Sequence, residues 1–255
     1  MGVMAISGAA SGIGRAARQR LEREGHQVLG IDLRGVEVAC DLSAPDGRRF
    51  AVWKVREHTG GKLDGLLACA GLGPQCADRP QVVAVNYFGA VALLEGLRDC
   101  LAAGAPSAAV AISSNSSTIT NMETPLVAAC LEGDEARART LAADLGGTQV
   151  YAGSKLALAR WVRRHAPKRE WAGAGVRLNA VAPGATLTPL LQEGLDDPLY
   201  GDAIRNFPVP LGGFGRPEQI ADTIAFLLGP ESSFCCGSVL FVDGGSDALL
   251  RPDTY

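Results

Sequence analysis

Short, continuous apolar runs recur along the chain, separated by stretches with helical punctuation, and this alternation limits the fold more than any other feature. Runs at residues 3–7, 27–32, 37–40, 63–70, 108–113, 176–182 and 238–242 lack the polar-apolar alternation of a half-exposed strand. They read as parallel strands covered on both faces. Between them, helices are predicted over residues 12–24, from Ser43 with Asp46 three residues on, over 82–103, over 151–165 and from Pro217. Repeated β-α-β units require right-handed crossovers. The predicted fold is therefore α/β, a single-domain, Rossmann-type doubly wound parallel sheet of about seven strands. With 255 residues, 47% of them hydrophobic, one core can span residues 1–255.

Two stretches interrupt the rhythm. Residues 115–150 carry no strand, and residues 125–145 within them are rich in Ala, Leu, Glu and Arg, which predicts a helical insertion. Residues 187–213 are rich in Pro, Gly and Asp and long for a connection, which predicts a flap or substrate-binding loop.

Charge and cysteine usage narrow the function. A net charge of -3 without a basic run gives no electrostatic footprint for nucleic acid or an anionic membrane. No stretch reaches the length of a membrane-spanning helix, and the start of the chain has no charged leader. Seven cysteines without a C-x-x-C pair are expected to be reduced thiols in a cytoplasmic protein. Three histidines without H-E-x-x-H leave a metal site unsupported.

Gly8, Gly12 and Gly14 stand in SGAASGIG, between the first strand and the first helix. Such a turn needs positive φ and close backbone approach, and the helix start offers free N–H groups to a pyrophosphate. Asp32 follows Gly12 by twenty residues, where an acidic side chain would hold the adenosine ribose. Its charge repels a 2'-phosphate and favours NAD, while Arg34 partly offsets it, so NADP is not excluded. In CDLS, Asp41 and Leu42 can sit beside the adenine; equally, Asp41 can start a turn and Ser43 cap the next helix.

YAGSK places Tyr151 and Lys155 on one helix face. An ammonium near a phenol stabilises the phenolate and is expected to lower its pKa. In AISSNSS, Ser113 and Ser114 fall at the carboxyl end of the fifth strand, one facing the cleft and the other away. Asn86, polar within an apolar helix, either satisfies a backbone bend or positions a water near Lys155.

Taken with Cys69-Ala70-Gly71, Pro183-Gly184 and Asp243-Gly244-Gly245, these motifs fall in the order of the short-chain dehydrogenase/reductase family, which the chain resembles over essentially its entire length. The resemblance implies that Tyr151 is the acid/base, Ser114 orients the substrate oxygen, Lys155 holds the nicotinamide ribose, and Asn86 supports a proton-relay water. It also implies cofactor contacts from Gly8, Ser11, Gly12, Ile13, Gly14, Asp32, Asp41, Leu42, Ala70, Gly71, Tyr151, Lys155, Pro183, Gly184, Thr186 and Thr188. Two departures stand out: Cys69 replaces the usual Asn of N-A-G, and 37 residues separate Ser114 from Tyr151. The insertion is expected to shape the substrate entrance and alter subunit pairing.

ISGAASGIG, CAGLGPQ, AGVRLNAVAPGAT and VDGGSDALLRP are similar to the bacterial 3α-hydroxysteroid dehydrogenase/carbonyl reductase group of this family. That likeness implies reversible oxidation of a secondary alcohol to a ketone in a homodimer or homotetramer, acting on 3-hydroxysteroids and bulky carbonyls. A dehydrogenase of aromatic, coniferyl-type alcohols and a non-catalytic NAD-sensing protein are the alternatives.

Overall fold

The computed structural model describes residues 2–118 and 124–254. Seven parallel strands form one sheet in the order β3-β2-β1-β4-β5-β6-β7. They are β1 (Val3–Ser7), β2 (Gln27–Asp32), β3 (Val38–Ala39), β4 (Gly65–Ala68), β5 (Ser107–Ile112), β6 (Val176–Pro183) and β7 (Val239–Val242). The chain starts at the centre, winds outward to β3, then crosses β1 to build the other half. β1 pairs with both β2 and β4, so the order reverses there. Ligands of open α/β sheets bind at such a reversal, beyond the strands' carboxyl ends.

Both faces are covered, which is why the strands read as unbroken apolar runs. Helices α1 (Gly12–Arg23) and α11 (Pro217–Leu228) pack on one face over Ile6, Leu21, Val110, Val181 and Ile224. The other face carries α2 (Pro45–Thr59) and a composite helix of α3 (Arg79–Val83), a π-helical turn (Ala84–Gly89), α4 (Ala90–Gly96) and α5 (Arg98–Ala103). Beside them lies α8 (Gly147–His165). Its core includes Leu66, Leu93, Ala109, Leu158 and Trp161. Proline at the first turn starts α2, α3 and α11, and Gly60 in the left-handed region ends α2.

The structure revises several boundaries. The helix expected over 82–103 is interrupted by a π turn over Ala84–Gly89, which contains Asn86, and by a second break at Leu97. The helix that carries Tyr151 and Lys155 begins at Gly147, four residues before Tyr151. Ser43 does not cap α2, whose cap position is Ala44.

The insertion forms α6 (Pro125–Glu132) and α7 (Glu135–Ala143); its residues 119–123 lie outside the described residues. Thr124 and Asp134 cap these helices by accepting from Val127 N and Arg137 N. α6 packs on α8, where Gly153 leaves room for Leu126, and α7 packs on α3. The flap holds α9 (Pro189–Asp196) and α10 (Gly201–Arg205), and the chain closes with α12 (Ser246–Leu250). No described helix is long and apolar enough to cross a membrane.

Candidate active site

A cleft of about 480 Å³ opens along the carboxyl ends of the strands. Its cofactor end is the turn between β1 and α1. Gly8 has φ +72°, and its N–H donates to Ile31 O at 2.9 Å. Gly14 is fixed by close approach, since a Cβ there would lie 2.1 Å from Gly8 O. The first intrahelical bond of α1 runs from Arg15 N to Ser11 O, and no side chain caps the helix. The N–H groups of the first turn therefore face the cleft, where the helix dipole favours an anion.

Asp32 ends β2 at the same place. Its Oδ2 accepts from Ala10 N at 3.0 Å and its Oδ1 from Leu33 N at 2.7 Å, so the carboxylate is held beside the glycine turn. Asp41 and Leu42 line the next part of the cleft. Asp41 Oδ1 accepts from Ser43 N at 2.8 Å, so Asp41 shapes a turn while facing the cleft. Ala70, Gly71, Pro183, Gly184, Thr186 and Thr188 line it too. A Cβ on Gly12 would meet the Thr188 methyl at 3.2 Å, which places Thr188 over the glycine turn.

The reacting groups come from β5 and α8. Ser113 turns away and donates to Lys155 O at 2.9 Å, tying the strand end to the helix. Ser114 faces the other way, toward the Tyr151 hydroxyl, whose ionised form the Ser114 hydroxyl favours. Its Oγ also accepts from Ser116 Oγ at 3.0 Å. Ser116 lines the cleft as well, a neighbour that the serine run of the sequence contained but spacing did not single out.

Lys155 is 4% exposed, and its ammonium donates to Ile112 O at 2.8 Å. Burial lowers its pKa to about 8. Burial raises the Tyr151 phenol above its ordinary value, and the Ser114 hydroxyl only partly opposes this. The expectation that Lys155 lowers the phenol is thus not met in this structure. The ammonium is turned to a carbonyl, 6.0 Å from the Tyr151 ring centroid, and desolvation of the phenolate dominates.

Asn86 is fully buried and, alone among the predicted site residues, does not line the cleft. Its Oδ1 accepts from Leu72 N at 2.8 Å, and its Nδ2 donates to Leu72 O at 3.0 Å and Ser154 Oγ at 3.3 Å. It clamps the loop after β4 to the catalytic helix. A Cβ on Gly71 would meet both Asn86 Oδ1 and Lys155 Nζ within 3.4 Å, so the clamp lies close to the lysine. At the neighbouring Cys69, no side-chain amide is needed. Buried Ser7 Oγ accepts from Cys69 N at 3.0 Å and Ala70 N at 3.2 Å, a tie between β1 and β4 that the sequence did not reveal.

Beyond Tyr151 the walls turn apolar, with Leu72, Pro74 and Val85 on one side and Leu190, Leu191, Ile204 and Phe207 of the flap on the other. Gln75, Gln81, Thr148 and Tyr200 add polar atoms. None of the residues 124–147 lines the cleft. The expectation that the insertion shapes the substrate entrance is therefore not carried by α6 and α7.

A glycine turn opening into a helix start, an acidic side chain beside it, and Ser114, Tyr151 and Lys155 around one cleft are together the features of a dinucleotide-dependent oxidoreductase of the doubly wound α/β class. Residues 8–150 and 145–247 match the family described as Enoyl-(Acyl carrier protein) reductase. The chain is 46% identical to the 3-alpha-hydroxysteroid dehydrogenase/carbonyl reductase of Comamonas testosteroni, with all of both proteins covered. It is 29% identical to the cis-4-hydroxycyclohexanecarboxylate dehydrogenase of Sinomonas cyclohexanicum over 97% of each. The crystal structure of the 3-alpha-hydroxysteroid dehydrogenase of Pseudomonas sp. B-0831, complexed with NADH, superposes with a TM-score of 0.97. That protein is 51% identical and is covered completely by 99% of this chain. The chain belongs to the short-chain dehydrogenase/reductase family.

Proposed function

We propose that this site interconverts a secondary alcohol and a ketone with NAD, acting at the 3-position of steroids and on bulky non-steroid carbonyls. The observation that carries the reading is that Ser114, Tyr151 and Lys155 line one cleft with the glycine turn, where it meets the apolar walls. The two full-length relatives named for 3α-hydroxysteroid oxidation support the substrate class.

Gly8, Ser11, Gly12, Ile13 and Gly14 would hold the pyrophosphate, Asp32 the adenosine ribose, and Lys155 the nicotinamide ribose. When bound, the nicotinamide supplies or accepts the hydride at the substrate carbon. In reduction, Ser114 orients the carbonyl oxygen and Tyr151 gives it a proton; in oxidation, the Tyr151 phenolate takes the proton from the alcohol. The high phenol pKa keeps that proton in place at neutral pH, and the Ser114 hydroxyl favours the anion once it has left. The apolar walls exclude water from the reacting carbon.

The Asp32 carboxylate, next to the glycine turn, supports NAD over NADP by repelling a 2'-phosphate. Seven free cysteines support action in the cytoplasm. Exposed Phe226, Phe234 and Leu240 support a homodimer or homotetramer, which light scattering would test. Initial rates with NAD and NADP on a 3α-hydroxysteroid and a coniferyl-type alcohol test the main reading. Turnover of the steroid with NAD is expected, and Tyr151→Phe should lower it by about 10²-fold to 10⁴-fold. Undiminished turnover by Tyr151→Phe would remove Tyr151 from the mechanism.

A further inference from the structure

The inserted helices put no residue into the cleft, yet Glu135, the first residue of α7, reaches the loop that lines its adenine end. Its carboxylate accepts from Arg48 Nη1 at 2.6 Å and Nη2 at 2.8 Å. Arg48 is buried at 6% exposure, and its remaining bonds all go to main-chain oxygens. Nε donates to Leu42 O at 2.7 Å, and Nη2 donates to Ser43 O and Ala84 O, both at 3.0 Å. One turn further along α7, Arg139 donates to Ser43 O at 3.4 Å.

One guanidinium thus joins three segments distant in sequence: the loop after β3, the start of the π turn, and the insertion. Leu42 and its neighbour Asp41 line the cleft. The loop is also pressed onto the π turn, because a Cβ on Gly89 would lie 3.2 Å from Leu42 O and 3.4 Å from Ala84 O. Those are two of the carbonyls that Arg48 holds.

We propose that Arg48 and Glu135 are positioning residues for the cofactor, and that the inserted helices act as a brace setting the adenine end of the cleft. The proposal rests on the dinucleotide reading above. Removing the carboxylate leaves a buried cation without its counter-charge. The guanidinium then turns toward water and releases the Leu42 and Ser43 carbonyls, and with them the loop that carries Asp41. Ser114, just beyond β5, and Tyr151 on α8 make no bond to Arg48 or Glu135, so the loss falls on the affinity for the adenosine half and spares turnover.

The test is calorimetric titration of Glu135→Gln and Arg48→Lys, as full chains, with NADH, ADP-ribose and reduced nicotinamide mononucleotide. Dissociation constants for NADH and ADP-ribose should rise about tenfold. That for the mononucleotide should not move, and kcat at saturating NAD should stay within about twofold of the unmodified enzyme. Arg48→Lys should act in the same direction, because an ammonium cannot reproduce the fork that holds a carboxylate and three carbonyls at once. If Arg48→Lys fails to fold, the isosteric Glu135→Gln decides the matter. Variants that melt earlier yet bind all three ligands normally, or that weaken all three equally, would make this an ordinary structural ion pair. If the unmodified protein bound neither NADH nor ADP-ribose, the cofactor reading would fall and the brace with it. If it bound both and the variants bound them equally well, only the brace would fall.

Discussion

At its glycine turn the cleft is fixed by backbone packed on backbone, whereas the flap at its other end hangs on a few hydrogen bonds, main-chain ones at Leu187 and Leu211 and side-chain ones between. Around the glycine turn, Gly14 approaches Gly8 O so closely that no side chain fits, and Asp32 is bonded into the same turn through Ala10 N. The flap over residues 187–213 is held differently. Gln75 Nε2 donates to Leu190 O and Glu193 Oε2, both at 3.2 Å, and Ser246 Oγ donates to Pro208 O at 2.7 Å. Leu199 and Leu211 stay 76% and 86% exposed. A turn packed on its own main chain tolerates almost no change, whereas a flap held by a few single hydrogen bonds can exchange partners at small cost. One end therefore keeps the cofactor constant while the other adapts to the substrate.

The largest expected effect tests the rigid end. Gly14→Ala puts a methyl group into Gly8 O and must displace the turn, so affinity for NADH should fall by about 100-fold or more. The flap should keep its structure in this variant. Titration with NADH checks the affinity, and limited proteolysis within residues 187–213 checks the flap. Normal NADH binding by Gly14→Ala would mean that this turn is not the rigid cradle described.

Between the two ends, the proposed roles of Tyr151 and Lys155 predict a pH dependence of opposite sign for the two directions. Ketone reduction needs a protonated Tyr151, whose pKa burial raises, and so it should hold level through neutral pH. Above about 8, Lys155 loses its charge and its hold on an anionic partner, and reduction should decline, by up to about tenfold per pH unit. Alcohol oxidation needs the phenolate and should rise from pH 6 toward 8. Initial rates in both directions across this range decide it, and two profiles of the same sign would detach Tyr151 from the proton transfer.

The contrast between the two ends also explains what could be read from the chain. Gly8, Gly14 and Asp32 were readable because local backbone geometry dictates their identity at fixed spacing. Ser114, Tyr151 and Lys155 were readable because their chemistry is scarce and strand and helix periodicity fixes their direction. Asn86 was only half readable: its polarity within an apolar helix was visible, but the π turn that lets it clamp Leu72 depends on tertiary packing. Ser7, Gln75 and Arg48 gave no signal, since each acts on main-chain atoms of segments far away in sequence. The insertion was visible as an interruption, but the packing of its helices α6 on α8 and α7 on α3 was not.

A medium effect tests the flap at its near end. Gln75→Leu removes both bonds to α9, a loss of about 1 kcal/mol net, so substrate KM should rise about fivefold. The dissociation constant for NADH should not change. If Gln75→Leu weakened NADH as much as substrate, the two ends would be mechanically one.

The smallest effect concerns the far end of the flap, which rests on the segment at Asp243–Leu250 through Ser246 and through Leu211 N, which donates to Gly244 O at 3.0 Å. Asp247 holds that segment to the catalytic side: its Oδ1 accepts from Thr118 Oγ1 at 2.8 Å, and both of its oxygens accept from Arg251 at 2.9 Å. Burial pushes its pKa upward, but the bonds from Arg251 and Thr118 outweigh that and hold it below the ordinary carboxylate value. A carboxyl whose folded pKa is depressed contributes stability above its unfolded pKa and loses it as pH falls through the folded value. Asp247→Asn should therefore cost less than about 1 kcal/mol at pH 7, and the gap between the two proteins should close below about pH 4. Thermal melts of both proteins across this range measure it. Substrate KM should move less than in Gln75→Leu, because the Ser246 bond to Pro208 O remains. A larger KM change in Asp247→Asn would shift the flap's principal anchor from Gln75 to the C-terminal segment.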